Sequence, residues 1–75
     1  MYFVFEIQKL DNGSCVCLTY HDDSWNYFQA ESVYFGKLQY AAISTIPVHT
    51  VMLCDAEGSV YSVKTYNREA KPEQE

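Results

Sequence analysis

The sequence predicts an α+β fold of order β-β-α-β-β: a four-stranded antiparallel sheet with one helix across one face. Three observations predict it. Residues 27–44 carry apolar side chains at three- and four-residue spacing, the period of a helix with one buried stripe. Two pairs of short runs flank that stretch and alternate as strands do. Each pair is interrupted by a glycine-containing turn, Asp11-Asn12-Gly13 in the first and Asp55-Ala56-Glu57-Gly58 in the second.

The first run, Tyr2 to Leu10, sets Phe3, Phe5 and Ile7 against Tyr2, Val4, Glu6 and Gln8. The first set is expected to form the core face and meet the helix. Ser14 to Tyr20 returns as the second strand, and the preferred register sends Val16 and Leu18 to the helix side, with Cys15 and Cys17 opposite. A one-residue slip would exchange the two sets. His21 to Asn26 is a polar loop holding Trp25, and its acceptor side chains suit a helix start, with Asn26 the preferred cap.

On the helix, Tyr27, Ala30, Tyr34, Leu38 and Ala41 share one arc, with Leu38 expected as the central anchor. Phe28 and Phe35 fall to one side of that arc, Val33 and Tyr40 to the other, and one sheet cannot cover all four. Pro47 stops the helix by forcing Ile46 out of helical geometry. The third strand, Pro47 to Cys54, is apolar on both faces and reads as an interior strand. Ser59 to Tyr66 forms the fourth. Strand order 2-1-3-4 with a right-handed crossover places all four in one sheet. Residues 1–66 are thus one domain, and residues 67–75, which have little to bury, are expected to be a disordered tail.

Seventy-five residues bury only a modest core, because a chain this short hides roughly 60% of its unfolded surface. Small domains commonly gain stability from a disulfide, a metal or a second subunit. Ten Asp and Glu against five Lys and Arg argue against a phosphate-binding surface. No stretch has the apolar length of a membrane span. The N-terminal residues lack the basic lead and cleavage site of a signal peptide, and three cysteines do not suggest a secreted disulfide framework. The expectation is a cytoplasmic protein with reduced thiols.

Cys15 and Cys17 share a strand face, and His21, His49 and Cys54 could be further metal ligands. Zinc sites, however, space paired cysteines by two to four residues on a turn. Small buried strand cysteines are the simpler reading. A Cys–His nucleophile pair lacks an orienting third group, so no catalytic residue and no enzymatic activity are expected. His49 reads as a hydrogen-bonded structural residue at a strand start. No metal, cofactor, small-molecule ligand, nucleic acid or membrane is expected as a partner. The surplus of apolar residues instead implies a homodimer or another protein partner. The candidate interaction surface comprises Tyr2, Val4, Phe28, Val33, Phe35 and Tyr40. A protein whose acidic surface binds a host protein is the alternative.

Val4-Phe5-Glu6-Ile7-Gln8, Ala30-Glu31-Ser32, Ala41-Ala42-Ile43-Ser44 and Pro47-Val48-His49 occur in an order that resembles short proteins of gut Firmicutes and their phages or mobile elements. Those proteins show a YEIQ strand, an AES helix start, an AAAVS helix end and a PVH strand. Here Tyr40 interrupts the alanine run. The resemblance spans roughly the first sixty-five residues, and it implies a bacterial or mobile-element setting with no established activity.

Overall fold

The computed structural model describes residues 1–69. Its elements are β1 (Tyr2–Lys9), β2 (Cys15–His21), α1 (Tyr27–Ile43), β3 (Val48–Asp55) and β4 (Val60–Asn67). They form one antiparallel sheet of order β2-β1-β3-β4, with the helix packed on β1, β3 and β4. The expected fold class and strand order are those observed.

Both hairpins turn the same way. The amide of Leu10 donates to the Ser14 carbonyl at 2.8 Å and that of Gly13 to the Leu10 carbonyl at 3.0 Å. Asp55, Gly58 and Ser59 repeat the pattern at 3.0 and 3.1 Å. Each turn needs one left-handed residue, and Gly13 and Gly58 supply it with φ of 88° and 89°. The helix begins where its sequence offers a capping box: the Asn26 side chain accepts from the Gln29 amide while the Gln29 side chain accepts from the Asn26 amide. It ends at Ser44, three residues before Pro47.

The register divides the sheet into two faces. Val4 and Glu6 pair with Leu53 and Val51 on one side and with Tyr20 and Leu18 on the other, and this set lies beneath the helix. Val4, Val51, Leu53, Ala30 and Ala41 are fully buried. The expected assignment of Phe3, Phe5 and Ile7 to the helix side is therefore reversed. The physical reason is closeness. Ala30 and Ala41 bring the helix backbone down onto the sheet, and Val4 fits the remaining gap where a row of phenylalanines would hold the helix away. The second strand follows its preferred register, since Val16 and Leu18 share the helix side. The helix does not reach over them, and both remain more than a third exposed.

Tyr34, not Leu38, is the large helix residue at the centre of the core; Leu38 is only partly buried. Tyr2, Tyr27 and Tyr61 close the other end, with ring centroids 5.4–5.9 Å apart in tilted and edge-on contacts. The chain also stays ordered past residue 66. Asn67 completes β4, and Arg68 donates from its amide to the Pro47 carbonyl and from its guanidinium to the carbonyls of Ala41, Ala42 and Ile46. Ala41 and Ala42 belong to the helix C-terminus, where a cation is favoured, and Ile46 follows it. The rest of the expected tail, residues 70–75, lies outside the described residues.

Candidate functional site

Two features stand out from the fold: a buried polar relay under the helix end, and an uncovered sheet face. The relay starts at Glu6, in mid-β1 and 4% exposed, diagonally across from His49 of β3, which pairs with Gln8 and is 2% exposed. His49 Nε2 lies 2.5 Å from Glu6 Oε2. Tyr20 donates to Glu6 Oε1 at 3.0 Å, and the Gln8 side-chain amide donates to Oε2 at 3.2 Å. Burial alone would push the Glu6 carboxyl up, but hydrogen bonds from His49, Tyr20 and Gln8 outweigh it and hold the group below its ordinary value. Glu6 is thus a carboxylate and can only accept, so Nε2 carries the proton. The other ring nitrogen, Nδ1, lies 3.0 Å from Ser44 Oγ. Ser44 also accepts the Ile46 amide at 3.3 Å. Three elements therefore converge on one line of hydrogen bonds: Glu6 from β1, His49 from β3 and Ser44 from the helix end.

The relay forms the floor of a half-open cleft of about 430 Å³, whose walls include Tyr40, Ile43, Thr45 and Ile46. His49 is a hydrogen-bonded strand residue, as its position after Pro47 suggested. The sequence reading missed Ser44 and Glu6 as its partners. A signal for Glu6 existed: its parity matches that of Val4, and a buried carboxylate requires a donor.

On the opposite face, the register gathers Phe3, Phe5 and Ile7 of β1 with Cys15 and Cys17 of β2, Met52 and Cys54 of β3, and Val60 and Val63 of β4. No element of the described chain covers this side. The rings of Phe3 and Phe5 stack 6.0 Å apart along β1, and Val63 is 57% exposed. Within the strands no Asp or Glu belongs to this face. Its charged member, Lys9, sits at a corner and pairs with Glu69 at 3.4 Å.

The candidate interaction residues separate in space. Phe28, Phe35 and Tyr40 are exposed on the outer side of the helix, at 75%, 56% and 66%. Val33 is partly buried against the core, and Tyr2 belongs to the tyrosine cluster. Val4 is fully buried and offers nothing to a partner. Cys15 and Cys17 lie on the open face and His49 on the helix face, so the sheet itself separates them. Among the described residues no group of three or more His, Cys, Asp or Glu could hold a metal ion. No helix among them is long and apolar enough to cross a membrane. No protein-family model, curated protein or solved structure matches the chain.

Proposed function

We propose that the protein is a small self-associating interaction module in which two copies meet through the uncovered sheet faces. One observation carries this reading: the strands place no carboxylate on that face, although the chain has ten acidic residues and a net charge of −5. Two acidic molecules approaching by this side bring no strand carboxylates together. They join Phe3, Phe5, Ile7, Met52 and Val63 to the same set from the second copy. A two-fold axis satisfies both copies at once and closes the assembly.

The size is suitable. Four strands about 4.8 Å apart and about 26 Å long give a flat footprint on the order of 500 Å². Side-chain relief brings the accessible area nearer the roughly 800 Å² per partner of a standard interface. Two sheets stacked in this way lie about 10 Å apart and enclose a second core, a gain for a chain with so small a first one. The helices then face outward and present Phe28, Phe35 and Tyr40 to other proteins.

Light scattering after size exclusion, across a concentration series from low to high micromolar, tests the reading. Twice the chain mass of 8.7 kDa is expected throughout. A monomer mass at high micromolar concentration would refute it.

A further inference from the structure

The relay and its cleft lie across the sheet from the proposed dimer face, so they stand or fall separately from self-association. We propose that Ser44 is a nucleophile that accepts the acyl group of small apolar esters, with His49 as its base and Glu6 as the residue that positions His49. The sequence offered no third group to orient a histidine; the fold supplies one in Glu6.

The arrangement meets the geometric requirements of an activated hydroxyl: nucleophile to base at 3.0 Å and base to orienting carboxylate at 2.5 Å. With the proton of His49 held on Nε2 by Glu6, the lone pair of Nδ1 faces Ser44, and the serine hydroxyl is the donor. Capping the helix requires none of this. The Ser44 amide already donates to the Ala41 carbonyl, and its Oγ already accepts the Ile46 amide. That amide also favours negative character on Oγ. A helix C-terminus ordinarily opposes such charge. Here the Arg68 guanidinium occupies the carbonyls of Ala41, Ala42 and Ile46 and offsets it.

Tyr40, Ile43 and Ile46 form apolar walls for a short acyl chain, and Thr45 lines the same cleft. In the step proposed, Ser44 Oγ bonds to the carbonyl carbon as its proton passes to His49 Nδ1. The carbon–oxygen bond to the alcohol breaks, and His49 returns the proton to the departing alkoxide. Water, the second substrate, then attacks the acyl-serine by the same route, releasing the acid and restoring Ser44.

The test treats the full chain with an alkyl fluorophosphonate, whose phosphorus replaces the carbonyl carbon and whose fluoride leaves, followed by peptide mapping by mass spectrometry. A single adduct on Ser44 is expected, forming at least about 100-fold faster than on exposed Ser24 or Ser59, the scale of a positioned base. Unfolding in urea should abolish that preference, and Ser44→Ala should remove the adduct while leaving the circular dichroism spectrum unchanged. After the exposed thiols are blocked, p-nitrophenyl acetate should be hydrolysed by the wild-type chain and not by Ser44→Ala. Equal labelling of Ser24, Ser59 and Ser44, a Ser44 rate unaffected by urea, or hydrolysis that survives Ser44→Ala would each overturn the proposal.

Discussion

Glu6 and His49 form a buried hydrogen-bonded pair whose worth depends on every donor staying in place. Removing one partner costs about 1–3 kcal/mol, because the other is left buried and unsatisfied. Glu6→Ala is therefore expected to lower the thermal midpoint steeply, more than any exposed substitution. The same pair sets a pH dependence. The folded-state pKa of Glu6 lies below its ordinary value of 4.5. Its contribution to stability is thus complete above the unfolded value and is lost as pH falls through the lowered folded value. Chemical denaturation at a series of acidic pH values should show this loss, and Glu6→Gln should flatten it. At the alkaline end the hydrogen bond from Tyr61 to Asp55, 2.8 Å long, pushes the phenol up to about 12. A raised folded value means that this contribution is full below the unfolded value of 10 and disappears as pH rises toward 12. Burial also raises Tyr20, Tyr27 and Tyr34, so ultraviolet titration should show several late tyrosines, and Asp55→Asn should bring Tyr61 down while leaving the others late.

Among the elements, the helix is the most local in its causes and was the most legible. Asn26, the apolar spacing and Pro47 define its start, face and stop, each acting within a few residues of the feature it sets. Asn26→Ala should cost about 1 kcal/mol, since it removes the side-chain half of the capping box. Tyr34→Ala should cost about 3–5 kcal/mol by opening a cavity at the core centre, and Leu38→Ala, which is only partly buried, should cost less. Strand order was legible too, because two short hairpins joined by a crossover helix leave few arrangements. The facing of β1 was not. Pattern alone favoured the wholly apolar set Phe3, Phe5 and Ile7 over the mixed set Tyr2, Val4, Glu6 and Gln8. The residue that misled was Glu6, whose charge pointed to solvent. Its partner His49 lies 43 positions away, and only the β1–β3 register brings them together. For the same reason Ser44 read as a helix stop and nothing more. Tertiary pairing, absent from any local window, supplied the relay.

At the scale of the whole molecule, the fold leaves one large surface without a cover. A four-stranded sheet has two faces, and the described residues contain one helix. The core side takes the small residues and the buried Glu6–His49 pair, and the larger phenylalanines remain on the other side. Keeping Asp and Glu out of that face's strand positions would let copies of an acidic chain pair there. Phe35 on the helix is equally apolar and similarly exposed, yet it should be dispensable for pairing. The most direct measurement compares the solution masses of Val63→Glu and Phe35→Glu at one concentration in the tens of micromolar. Both positions are more than half exposed, so both variants should fold. A monomer for Val63→Glu beside a dimer for Phe35→Glu is the predicted result. A dimer for Val63→Glu with a monomer for Phe35→Glu would contradict the account and place the contact on the helix.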